Sequence, residues 1–140
     1  MTSPITQHDF LAPEDTLPLL EHLPSLGPVT CIVLHGGCVF EFSGEFPRGQ
    51  RSEGHLNLMN NGSGFHGHLA LAKLHRVRFQ DKPHRGRPSY AFVFEDPQAQ
   101  CLFKVFLGRD AQGEVLAHQL AFFQLLQIQG SLIAQEEKEL

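Results

Sequence analysis

The stretch Cys101-Leu102-Phe103-Lys104-Val105-Phe106-Leu107-Gly108-Arg109-Asp110 constrains this chain more than any other. Its β-branched, aromatic and aliphatic residues read as a strand, and Gly108-Arg109-Asp110 ends that strand in a turn. Residues 114–129 then place Leu116, Leu120 and Phe123 at i, i+4 and i+7, flanked by Phe122, Leu125, Leu126 and Ile128. Apolar residues cover more than half of that helix, which predicts burial on more than one side. A strand running into a helix that must pack back on it is the core seam of a sheet-plus-helix domain. The stretch carries no chemistry, so function has to be sought elsewhere in the chain.

Upstream, the pattern predicts strands at 29–34, 38–43, 55–59, 65–71, 75–80 and 89–95, and the 101–107 strand makes seven. His35-Gly36-Gly37 turns the first pair, and the cluster Asn60-Asn61-Gly62-Ser63-Gly64 turns the second. Side chains alternate, so Cys38, Phe40 and Phe42 share a face, as do His66, His68 and Ala70. Leu17, Leu20 and Leu23 recur at helical spacing within 13–23, where Pro18 falls near the first turn and Pro24 and Gly27-Pro28 provide the stop. Residues 1–12 have no periodicity, and 135–140 form a charged tail expected to fray. Short turns between seven or more strands predict an α+β domain over 1–140: a large antiparallel meander with N- and C-terminal helices packed on it.

A chain of 140 residues with 41% hydrophobic and 19% charged residues can bury a core of its own. Its net charge of -4 implies no strong field towards nucleic acid or a membrane, and no run approaches the ~20 apolar residues of a membrane span. Cys31, Cys38 and Cys101 lie in apolar runs without CxxC spacing, so they read as small packed residues and not as disulfides or zinc ligands. Met1-Thr2-Ser3-Pro4 does not open like a signal peptide. Together these features lead us to expect a reducing, cytoplasmic setting.

Nine histidines are the compositional anomaly. His66-x-His68 sets two imidazoles on one strand face, and His55 on the neighbouring strand offers a third, a set that suits zinc or copper. A solvated strand face has the same pattern, and no Asp, Glu or Cys stands at ligand spacing. The chain has no GxSxG elbow, paired carboxylates, GxGxxG or Walker loop to direct it towards nucleophilic, acid–base or nucleotide chemistry. A histidine-bearing sheet with 12 phenylalanines and basic loops would suit a flat apolar ligand carrying a metal and anionic groups. Haem fits that description, and so does an unliganded, solvated sheet.

Several stretches together resemble the bacterial haem-utilisation family of the HutX/ChuX type, cytosolic intracellular haem carriers with a HemS-like fold. They are Val29-Thr30-Cys31-Ile32-Val33 leading into Val39-Phe40-Glu41-Phe42-Ser43-Gly44-Glu45-Phe46-Pro47-Arg48-Gly49, then Gly54-His55-Leu56-Asn57-Leu58 and Gly67-His68-Leu69. The closest match is Leu102-Phe103-Lys104-Val105-Phe106-Leu107-Gly108-Arg109-Asp110, followed by the helix with Leu116, Gln119, Leu120 and Phe123. They cover about two-thirds of the chain in the family's order.

The resemblance implies a homodimer that binds haem in a sheet-lined pocket and passes it to a haem-accepting partner protein. Two histidines are implicated in the family. One falls on His68; the other falls on Leu34, with His35 next to it. A shift of one residue reverses the facing of a strand side chain, so His35 would need a shifted turn to serve. Tyr90, the sole tyrosine, is a candidate ligand because other members use tyrosine, His66 is a further pocket residue, and Arg85 and Arg87 are candidates for propionates. Arg109 and Asp110 read instead as pins of the strand-to-helix turn. Three functions follow as expectations: a non-enzymatic haem carrier, a reductant-dependent haem-degrading enzyme, or a family fold that has lost haem and serves as a scaffold or holds another ligand.

Overall fold

The computed structural model describes residues 6–59 and 62–132. Asn60 and Asn61 of the expected turn, and the 135–140 tail, lie outside the described residues. The alternating segments form eight strands among the described residues: β1 Pro28–His35, β2 Cys38–Glu45, β3 Gly49–Ser52, β4 His55–Leu58, β5 Gly67–Ala70, β6 Arg76–Asp81, β7 Tyr90–Glu95 and β8 Cys101–Leu107. Two helices, α1 Thr16–His22 and α2 Ala117–Gln129, complete the α+β domain.

All strand pairs are antiparallel, as the short turns require. The strands divide into a five-stranded sheet ordered β2-β1-β8-β7-β6 and a three-stranded sheet ordered β3-β4-β5. The path is therefore not one continuous meander: the first hairpin pairs with the last strand, through Val29 opposite Leu107 and Cys31 opposite Val105. Strand β3, Gly49-Gln50-Arg51-Ser52, is polar and nearly all exposed, so no apolar alternation marks it in the sequence.

One face of the larger sheet, carrying Val29, Cys31, Val77, Phe92, Phe94, Phe103 and Val105, is buried in the core. From α1 it receives Leu19 and Leu20; from α2 it receives Phe123, whose ring lies 5.0 to 5.5 Å from those of Phe79, Phe92 and Tyr90. The α2 stripe turned inward is Gln119, Phe123, Leu126 and Gln127, while Leu120 and Leu125 are half-buried and Ile128 stays 44% exposed. Half-buried Phe122 widens the covered surface, stacking on His22 of α1 at 4.8 Å and meeting Phe92 at 6.3 Å, and two of the fully buried positions are glutamines. The arm ahead of α1 joins β6 through Leu11 N–H to Val77 O and Phe79 N–H to Asp9 O. Buried Asp15 receives Leu132 N–H and the Ser131 hydroxyl, which ties the segment after α2 to the start of α1.

Gln119 explains how the strand-to-helix seam closes. Its Oε1 accepts Gly108 N–H at 2.7 Å, and its Nε2 donates to Leu26 O and Pro28 O at 2.9 and 2.8 Å. One fully buried amide thus joins the end of β8, the end of the α1 region and the start of β1. Gly108 permits this approach because a Cβ there would run into the Pro28 carbonyl. Beyond it, Asp110 Oδ1 accepts from Gln112 N–H and Glu114 N–H, and Arg109 donates to Gly113 O and Pro88 O. Both residues pin the turn, as expected. Leu26 O keeps a second partner in His118 Nε2, so Gln119→Leu strands mainly Gly108 N–H in the core. Urea unfolding of that variant should show a stability loss of about 3 kcal/mol; an unchanged midpoint would remove the role given to this amide.

Candidate functional site

The smaller sheet turns Leu56, Leu58 and Leu69 towards the larger one, because these residues alternate with exposed or half-buried polar ones along β4 and β5. Two adjoining clefts open beside it, of ≈ 240 and ≈ 310 Å³, and Val33, His68, Leu69 and Phe103 line both. Aromatic rings form much of the first wall. Phe42 stacks on Phe65 at 4.7 Å, and Phe46 meets Phe65 edge-on at 5.6 Å. Cys31 lines the first cleft, where burial pushes its thiol up to about 12, so it is a protonated, apolar wall at neutral pH. Lys73, on the short turn after β5, brings a cation to the second cleft.

His68 stands on β5 directly opposite Asn57 of β4, and its Nδ1 lies 2.7 Å from Asn57 Oδ1. Asn57 stands in turn opposite Gln50 of β3, and its Nδ2 donates to Gln50 O at 3.3 Å. No partner for His68 Nε2 occurs among the described residues. His66 is exposed and lines the first cleft, just ahead of β5.

His35 ends β1 and pairs with Cys38 across the two-residue turn Gly36-Gly37, whose φ values of 58° and 84° suit a tight hairpin built on glycine. All eight pairs of this hairpin are in regular register, so no slip occurs. Alternation alone sets His35 on the face of Val33 and Phe40, two residues beyond the clefts' Val33, while Leu34 faces the opposite side. With no shift of the turn, His35 faces the side opposite to Leu34, the position on which the family's histidine falls.

The remaining candidates are not brought here. Tyr90 pairs with Asp81 at the other end of the larger sheet, about 20 Å of strand length from His35, and its ring packs on Phe123 of α2. Tyr90 also borders a larger cavity, ≈ 540 Å³, with Thr30, Glu41, His84, Phe106 and Arg109. That cavity offers no free cation in Arg109, which is committed to two carbonyls. Arg85 sits exposed with φ 52° in the β6–β7 loop, at the same distant end, and Arg87 donates to Gly113 O there. The three-histidine metal site does not form: His55 Nδ1 turns to Glu53 O at 3.0 Å, and no three His, Cys, Asp or Glu converge as a ligand set among the described residues. Reading the sequence missed Asn57 as a partner of His68, and Lys73. The Asn57–His68 pairing was available from the β4–β5 register once the turn length was known.

The ChuX/HutX haem-utilisation family profile matches residues 10–126. The chain belongs to the ChuX/HutX family. It is 40% identical over 111 residues to the intracellular heme transport protein HutX of Vibrio cholerae, covering 79% of this chain and 58% of that protein's length. A crystal structure of a protein from Erwinia carotovora superposes with a TM-score of 0.80 at 26% identity, over 89% of this chain and 76% of the other. The crystal structure of ChuX matches with the same TM-score of 0.80 at 23% identity, over 89% and 77% of the two chains, and its likeness is one of fold.

The cysteines give a direct check on the cleft wall. At pH 8 a thiol titrating at about 12 is ionised in roughly one molecule in ten thousand. A maleimide reagent at that pH should label exposed Cys38 first and Cys101 more slowly, since burial raises the latter's thiol. Cys31 should react only on unfolding, and its rapid labelling in the folded protein would contradict the wall described here.

Proposed function

We propose that this chain is a cytoplasmic, non-enzymatic haem-binding protein that holds haem for transfer, with His68 as an iron ligand and His35 as the second. One observation carries the reading: His68, whose Nε2 has no partner among the described residues, lines both clefts together with Val33, Leu69 and Phe103. The 40% identical relative bears the name of an intracellular heme transport protein, which supports this assignment. A porphyrin lying across the two clefts would rest against Phe42 and Phe65, and an anionic propionate within reach of Lys73 would gain an ion pair. Phe40, 53% exposed on the same face as His35, would cover a ring reaching that far. Tyr90 and Arg85 have no part in this site, because both lie at the far end of the sheet.

A homodimer is part of the proposal. Edge strand β2 is exposed along its length, with Leu34 and Val39 52% and 58% exposed on the face away from His35. That face also carries Glu41 on β2 and Lys104 and Arg78 on β8 and β6, so a second copy related by a two-fold axis could meet acid with base while covering the apolar pair. No helix among the described residues is long and apolar enough to cross a membrane.

Titration with hemin should give a saturable shift of the Soret band. His68→Ala should weaken binding by at least about tenfold, with a smaller loss for His35→Ala. A double variant that binds hemin as the parent does would overturn the site. Ascorbate and oxygen added to the complex should leave the macrocycle intact apart from slow coupled oxidation; rapid, stoichiometric ring opening would favour a degrading enzyme instead.

A further inference from the structure

His68 is one member of a row of three residues, Gln50, Asn57 and His68, each directly opposite the next across β3, β4 and β5. The row is directional. Gln50 offers a backbone carbonyl, which can only accept, so the Asn57 atom 3.3 Å from it has to be the amide nitrogen. That leaves Asn57 Oδ1 facing His68 Nδ1 at 2.7 Å. An amide oxygen can only accept, so Nδ1 must carry the proton. In the neutral ring the lone pair then resides on Nε2, the atom without a partner among the described residues.

Resting on the haem reading above, we infer that Asn57 is the positioning residue of the site: held by the Gln50 carbonyl, it fixes His68 as the Nδ1–H tautomer and aims Nε2 as the iron donor. Asn57 itself touches neither iron nor porphyrin. The choice of a neutral acceptor matters for a carrier. An acceptor hydrogen-bonded to the far ring nitrogen raises the imidazole's donor strength, and a carboxylate in that place raises it more than an amide. Asparagine therefore orients the ligand without strengthening the bond to iron as a carboxylate would, which leaves haem easier to hand on. The arrangement also gives β3 a purpose. This short polar strand supplies the one carbonyl that keeps the Asn57 amide from flipping.

The test begins on the full-length protein without haem, by long-range ¹H–¹⁵N correlation at a pH where His68 is neutral. His68 should show the Nδ1–H pattern, and Asn57→Leu, which keeps the side-chain shape but removes the acceptor, should lose it. Loaded with hemin, Asn57→Leu should bind about 10–100-fold more weakly, while Asn57→Asp should move the ferric/ferrous midpoint to more negative potential and slow transfer of haem to apomyoglobin. An Nε2–H pattern in the parent, or a pattern unchanged in Asn57→Leu, would overturn the inference. If Asn57→Leu fails to fold, the parent's tautomer and the potential of Asn57→Asp still decide it, and an unmoved potential counts against it. Should the parent take up no hemin at all, the haem assignment fails, and the tautomer measurement still judges the orienting role by itself.

Discussion

The buried amide of Gln119 is the joint on which this fold depends. The ladder between β1 and β8 joins the two distant sequence ends of the larger sheet, but a ladder does not lock the covering helix to that seam. Gln119 does so by serving three backbone groups at once, from Gly108, Leu26 and Pro28. A buried polar side chain is costly when left unpaired and specific when fully paired. Here its pairing sets the seam between β8, β1 and α2. Gly108 leaves the space that this contact requires.

With that seam closed, the first hairpin becomes the edge of the larger sheet, and its far end reaches the neighbourhood of the smaller sheet. Alternation then sorts the hairpin's residues. Cys31, Val33, His35, Phe40 and Phe42 share the face of the clefts, while Leu34, Val39 and Glu41 face the other way. The same alternation in the smaller sheet sends Leu56, Leu58 and Leu69 into the core and sets Asn57 against His68. One period-two rule thus separates the face of the clefts from the face that carries exposed Leu34 and Val39.

Much of this was legible in the sequence because it is local. The β8 strand, its Gly108-Arg109-Asp110 turn, the body of α2 and the His35–Cys38 hairpin all follow from apolar period and turn chemistry. Gly67-His68-Leu69, a short motif, singles out His68 as a candidate. What was not legible depends on partners distant in the chain. Pairing of β1 with β8 leaves no local signature, so the strands were expected to follow one another in a single meander. Strand β3 has no apolar alternation to betray it, and the burial of Gln119 and Gln127 inverts the usual reading of a polar residue on a helix. Tyr90 and Arg85 were attractive by residue type alone. The register puts them at the opposite end of the sheet from His35, and residue type has no power to reveal that.

The account's central claim is that haem lies across the clefts beside His68 and Phe42, away from the larger cavity near Tyr90. Paramagnetic broadening of backbone amide signals by hemin tests this most directly. The signals lost first should come from β5, the turn carrying Lys73 and the His35 end of the β1–β2 hairpin, with those around Tyr90 and Arg109 retained. Broadening centred instead on residues 84–90 and Arg109, with β5 untouched, would contradict it.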